Sequence, residues 1–286
     1  MAARRLIDTI VASPIARPAA AGRGHLCVIR CGPRSVVSCA CASSPLKLLT
    51  PRNQGSAAWV YSSTYGGGLV DGDAIDLTVA VGEAAAAFLG SQASTKVYRS
   101  PAGTRSRLTA RVGAGGTFVV SPDPVVCFAE ARYDQRQEFD LEPGASLVVV
   151  DWLSCGRRAR GERWAFTEYR SVLRIRQAGR LICHDALALR ADDGVLVERF
   201  GRFDTMATVV LAGPAVRPDV ERLMADESTR PPARRADRLI AIAPLPAGGC
   251  LVRLVGVSLE DVGRIIRSCV EGLPAVLGDD PWARKW

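Results

Sequence analysis

Three features of the sequence predict a mainly β protein. Short runs of alternating apolar and polar residues recur along the chain, glycines and prolines punctuate them, and helical periodicity is confined to the last third. The expected architecture is a single β-rich domain of many short, mostly antiparallel strands joined by short turns. About two helices belong to the C-terminal third. No internal repeat is evident, and no linker is long enough to split the 286 residues.

Residues 1–24 carry Arg4, Arg5, Arg17 and Arg23 against one acid, Asp8, in an alanine-rich setting. Asp8 and Pro14 interrupt the apolar core that a signal peptide requires. The composition also suits an organelle presequence. The expectation is a poorly ordered tail, with the folded domain spanning 25–286.

His25–Arg30 and Val36–Ala42 read as an opening hairpin turning at Gly32-Pro33. Cys27, Cys31, Cys39 and Cys41 cluster there. Val37, Cys39 and Cys41 share one strand face, where cysteine acts as a small apolar residue, and their spacing does not match structural zinc. Trp59-Val60-Tyr61 begins the next strand. Ile75, Leu77, Val79 and Val81 alternate with Asp76, Thr78 and Ala80, the period of a half-buried strand. Ala84–Ala87 is ambiguous between helix and strand. Arg107–Val112 alternates again, and further strands are expected at Thr117–Val120, Ser146–Trp152, Trp164–Ile175, Arg180–Leu189, Val195–Phe200 and Met206–Leu211. Pro218–Met224 has a helix-start pattern with Asp219 and Glu221. Residues 226–236 are polar and proline-bearing, hence a loop. Ser258 with Asp261 reads as a cap, and Leu259, Val262, Ile266, Cys269 and Leu273 repeat at helical spacing.

Composition excludes some functions. With 48% hydrophobic and 23% charged residues the chain can bury a core, and no apolar run approaches the roughly 20 residues of a bilayer-spanning helix. The net charge of +8 permits nucleic-acid binding, but no basic run interleaved with aromatics forms a stacking platform. Docking of an acidic protein partner suits it better. Nine cysteines without a C-x-x-C pair indicate neither a disulfide framework nor a zinc ribbon, and free thiols point to a reducing cytoplasm. His25 and His184 are the only histidines and carry no triad signature.

The densest local signal is Gly66-Gly67-Gly68-Leu69-Val70-Asp71-Gly72-Asp73, followed by Gln92-Ala93-Ser94-Thr95-Lys96-Val97-Tyr98-Arg99. No Gly-Lys-Ser/Thr follows, which rules out a P-loop. The turn leads into a strand and not a helix, which rules out a dinucleotide fingerprint. Ile75 occupies the third position of a would-be calcium loop. What remains is Asp73 held at a sheet rim, either as a site or as part of a plain connection. Alternation sends Ser94, Lys96 and Tyr98 to one face and Thr95, Val97 and Arg99 to the other. Lys96 is either functional or paired with Asp73 or another carboxylate. Asp151 follows the apolar run Leu147–Val150, so it is either satisfied by hydrogen bonds or faces a wet cavity. Arg157, Arg158, Arg160 and Arg163 surround Glu162 in a loop that either engages anions bidentately or stays solvated. Trp282 and Trp286 end the chain as sheet cover or as a partner handle.

Those two glycine- and serine-bearing segments, together with Pro45–Leu49, Ser121-Pro122-Asp123-Pro124, Asp151-Trp152-Leu153-Ser154 and Ala159-Arg160-Gly161-Glu162, resemble the UreD (UreH) family of urease accessory proteins in collinear order. The resemblance spans roughly residues 25–286. It implies a non-catalytic scaffold that acts with UreF and the GTPase UreG on the urease apoprotein, helping to install its dinuclear nickel centre. No cofactor would be tightly bound, and Ni²⁺ would pass through an internal path lined by polar and acidic residues. On that reading Asp73, Asp151 and Glu162 are the transient nickel contacts. Gly66, Gly67, Gly68, Gly72, Ser94, Thr95, Lys96, Tyr98, Arg99, Arg157 and Arg160 line the path or meet partners. The competing readings are a hydrolase using Asp73 and Asp151, and a basic nucleic-acid binder.

Overall fold

A computed structural model describes residues 21–52, 55–227 and 235–283. The chain enters in β1 (Gly22–Cys31), three residues before the expected start, and turns back into β2 (Arg34–Ala42). Residues 1–20 of the predicted tail lie outside the described residues. β3 (Leu46–Leu49) and β4 (Ala58–Thr64) form an antiparallel pair.

From there the chain coils. β5 (Ala74–Val81), β8 (Thr104–Val112), β11 (Arg132–Leu141) and β13 (Glu168–Gln177) lie side by side in one sheet. β6 (Ala86–Ser91), β9 (Thr117–Val120) and β12 (Ser146–Ser154) lie side by side in the other, next to β4. Short strands β7 (Thr95–Val97) and β10 (Val125–Cys127) run along the second sheet's margin. Each four-residue turn after β5, β8 and β11 throws the chain across to the opposite sheet. Like strands of successive coils therefore stack in parallel: Val81 pairs with Val112, and Val112 with Leu141.

The turns stack as well. Ala84 N–H donates to the Ala114 carbonyl at 2.9 Å, and Gly115 N–H to the Pro143 carbonyl at 3.2 Å. The third turn residue has positive φ in each coil (Ala84, Gly115 and Gly144), and two of the three are glycine for that reason. These turns constitute an internal repeat of about thirty residues that the sequence pattern hides. The expectation of mostly antiparallel strands is corrected: nine of the fifteen pairings among the described strands are parallel and six antiparallel. A short turn was read as a hairpin, yet it serves equally well to change sheets.

β14 (Arg180–Arg190) returns antiparallel to β13. Residues expected as a strand at Val195–Phe200 form helix α1 (Leu196–Phe200) between positive-φ glycines 194 and 201. β15 (Thr205–Ala212), helix α2 (Arg217–Glu227), the hairpin β16 (Arg238–Leu245) and β17 (Gly249–Gly256), and helices α3 (Leu259–Cys269) and α4 (Leu273–Leu277) complete the described chain. Ser258 Oγ caps α3 by accepting from Asp261 N–H, as expected. The helical period continues to Leu273, but Val270 leaves the helical region and α4 starts anew with Pro274 in its first turn. Among the described residues four helices are present where about two were expected.

The layers are a seven-stranded sheet, a ten-stranded sheet and helices α2–α4. One apolar cluster fills the space between the sheets, and a second lies between the ten-stranded sheet and the helices. β12 is sandwiched by both. Leu147, Val149 and Leu153 enter the first cluster, Val148 and Val150 the second, which accounts for the unbroken apolar run. Trp282 packs against the second cluster, as sheet cover. No described helix is long and apolar enough to cross a membrane.

Candidate functional site

Alternation along β12 gives Asp151 the same orientation as Val149 and Leu153, between the sheets. There the apolar filling gives way to a cavity of about 170 Å³, room for several waters. Its wall opposite Asp151 comes from the same position in successive coils: Ser106 on β8, Gln135 on β11, and Ser171 just behind on β13. Asp151 is half-buried. It keeps partial accessibility only because its carboxylate faces this space.

A chain of donors runs toward it. Tyr133 Oη donates to Gln135 Oε1 at 3.3 Å, and Gln135 Nε2 donates to Ser171 Oγ at 3.3 Å. Ser171 Oγ donates to Asp151 Oδ2 at 2.7 Å, while Tyr169 Oη approaches Oδ1 at 3.5 Å. Burial nonetheless dominates and pushes the Asp151 carboxyl above its usual range, with the bonds from Ser171, Gln135 and Tyr169 pulling back against it. The acid is hydrogen-bonded, and it faces a cavity lined by both polar and apolar groups.

At the far side the cavity is rimmed by exposed Gly67 and Ala93 and lined by Ser94 and Thr95. Asp123 also lines the cavity. Asp123 Oδ2 accepts from Ser91 Oγ at 3.1 Å, and Asp123 N–H donates back to that oxygen at 2.7 Å. Sequence reasoning noted the Ser-Pro-Asp-Pro segment without assigning its acid; two prolines fixing Asp123 at a turn were the available signal.

Asp73 lies elsewhere. Its Oδ2 accepts from Val70 N–H at 2.8 Å, closing its own turn, and it lines a surface groove with Asp134, Glu168, Arg105, Arg132 and Arg170. Tyr133 borders both spaces, but Asp73 and Asp151 open into different ones and make no acid–base pair. Gly66, Gly67 and Gly72 adopt positive φ, and at Gly68 a Cβ would come within 2.6 Å of the Tyr98 ring, so the glycine run is fixed by backbone geometry.

Glu162 is committed to its neighbours. Arg157 Nε donates to Oε2 at 2.9 Å, a second guanidinium bond reaches Oε1, and Ala129 N–H donates at 3.1 Å. The Arg157 bonds hold the carboxyl below its usual range. That guanidinium stacks 4.0 Å over Phe128, whose edge meets Tyr98. Arg158 and Arg163 both reach buried Asp204, which ties the loop down at that point. Arg160 stays exposed and Arg99 pairs with Glu130 at 2.7 Å. Lys96 is exposed, and among the described residues no ion pair joins it to Asp73 or another carboxylate. Thr95 and Val97 point inward as the alternation predicts, though Ser94 turns to the cavity with them.

The expectation that Cys39 and Cys41 pack as apolar residues is corrected: both are exposed, because β2 is the seven-stranded sheet's edge strand and no described residue covers its outer face. Much of the basic charge is paired across the outside of that sheet, with Asp134 meeting Arg136 and Arg170, and Glu168 meeting Arg132 and Arg190.

The family model of the UreD urease accessory protein matches residues 20–286. A urease accessory protein UreD of Sorangium cellulosum is 50% identical over 270 residues, covering 94% of this chain and 86% of its own. One from Anaeromyxobacter is 43% identical, covering 92% and 89%. The urease accessory protein D of Arabidopsis thaliana is 33% identical, covering 91% and 99%. With nearly its whole described length matched, the chain belongs to the UreD urease accessory protein family.

Proposed function

We propose that the chain is a non-catalytic maturation factor that acts in the cytoplasm with UreF and UreG on the urease apoprotein, and that Ni²⁺ passes through the cavity between its sheets. The observation that carries this reading is Asp151: a carboxylate displayed to a cavity between the sheets at the cost of burial, with Asp123 also lining that cavity. The relatives named as urease accessory proteins supply the process. Carboxylate and hydroxyl oxygens hold Ni²⁺ weakly compared with imidazole or thiolate, which suits transfer and not storage. A dication beside Asp151 offsets the burial that disfavours its charged form. Asp73 and Glu162 lie outside the cavity, in the neighbouring groove and the Arg157 cluster. Any part they play in nickel transfer is at its approaches.

The test is complementation. A host carrying a urease operon without its UreD-type gene receives this chain with its own UreF, UreG and urease subunits. Active, nickel-loaded urease supports the reading; empty apourease in the presence of soluble chain and partners overturns it.

A further inference from the structure

The outer face of the β1–β2 hairpin gathers soft-metal donors far from the carboxylate cavity. His25 and Cys27 project to one side of β1, two residues apart. Antiparallel pairing sets Cys41 opposite His25 and Cys39 opposite Cys27. The four side chains make a two-by-two block, with directly opposed Cβ atoms about 5 Å apart. Within it Cys27 Sγ lies 3.1 Å from His25 Nε2. The Cys39 thiol is pushed up, first by desolvation among its neighbours and then by the Cys41 and Cys27 sulfurs.

Packing does not explain these cysteines. Cys127, Cys155, Cys183, Cys250 and Cys269 are buried, as free cysteines usually are, whereas Cys39 and Cys41 are exposed on an edge strand. Beside the block, His25 and Cys41 share a surface groove with Asp76 and Arg23. Asp76 Oδ1 is buried without a hydrogen-bond partner, while its other oxygen sits 3.7 Å from Arg105. The groove thus adds an underused carboxylate to three sulfurs and an imidazole.

We propose that this face binds one thiophilic divalent cation of the Zn²⁺ class through Cys27, Cys39, Cys41 and His25. Three thiols and a neutral imidazole form a tetrahedral donor set, and each ligating thiol releases its proton to solvent. Among the described residues no three His, Cys, Asp or Glu side chains already stand gathered as a metal centre. Ligation here therefore draws the sulfurs together by rotation about χ1, which the exposure of His25, Cys39 and Cys41 leaves open. The site is independent of the cavity and of urease maturation.

The test is a titration of the full-length chain with Co²⁺, anaerobically and with a non-thiol reductant. The expected result is one Co²⁺ per chain, with sulfur-to-cobalt charge-transfer absorption that Zn²⁺ abolishes. Cys27→Ser/Cys39→Ser should weaken binding by at least roughly tenfold, the scale of losing oriented ligand contacts, while Cys31→Ser leaves it unchanged. Alkylation of the unmutated chain gives a readout that needs no variant: Zn²⁺ should protect Cys27, Cys39 and Cys41 but not Cys31. Absence of the charge-transfer band at equimolar Co²⁺, or equal alkylation with and without Zn²⁺, overturns the proposal.

Discussion

Ser171 on β13 donates a 2.7 Å hydrogen bond to Asp151 on β12, joining the two sheets where their shared core turns polar. Tyr133 and Gln135 on β11 back the serine on β13, so donors from two neighbouring strands point toward one carboxylate. Even so, burial outweighs those bonds and the acid's proton affinity is raised.

That shift fixes a sign for stability. The native state holds the Asp151 proton more tightly than the unfolded chain, so stability falls as pH rises from the ordinary carboxylate pKa of about 4 through the folded value. Asp151→Asn removes this dependence. Its melting temperature should exceed that of the unmutated protein at neutral pH, with the difference vanishing near pH 4; thermal melts across that range check it.

Glu162 titrates in the opposite sense. Its folded pKa is lowered by Arg157, so its contribution is present above the ordinary carboxylate range and fades as pH falls through the folded value. Glu162→Gln should cost about 1 kcal/mol at neutral pH, the scale of a partly exposed charged hydrogen bond. The loss should shrink in acid, which thermal melts across that range check.

Two glycines separate backbone strain from steric exclusion. Gly179 has φ +76° with open space around it, whereas at Gly213, φ +96°, a Cβ would lie 2.2 Å from the Ala145 carbonyl oxygen. Gly179→Ala should cost about 1 kcal/mol. Gly213→Ala should cost more than about 3 kcal/mol, because β15 cannot leave β12 without breaking their pairing. Urea unfolding of the two variants distinguishes them.

The sequence was legible where packing is simple. The run Leu147–Val150 announced a strand buried on both faces, and the acid after it announced a conflict that the cavity resolves. It was illegible where function disturbs the pattern. β11 escaped notice because two of its inward positions are Gln135 and Gln137, facing the cavity and breaking the apolar alternation between Tyr133 and Phe139. β16 was hidden by Pro244, which reads against a strand but is tolerated at the sheet's edge. Parallel stacking was beyond reach, since a four-residue turn has the same composition whether it closes a hairpin or changes sheets. Asp123 was missed because its partner, Ser91, is thirty-two residues away in sequence.

The central claim is that Asp151 serves nickel transfer from inside the fold. The most direct measurement is nickel per urease active site when Asp151→Ala replaces the unmutated chain in the complementation assay, at equal soluble levels of the two. Loss of one charged contact of about 1.4 kcal/mol corresponds to about tenfold, and nickel loading should fall on that order while the variant's melting temperature is retained. Full loading by a folded Asp151→Ala chain would contradict the account and leave the cavity without a part in nickel delivery.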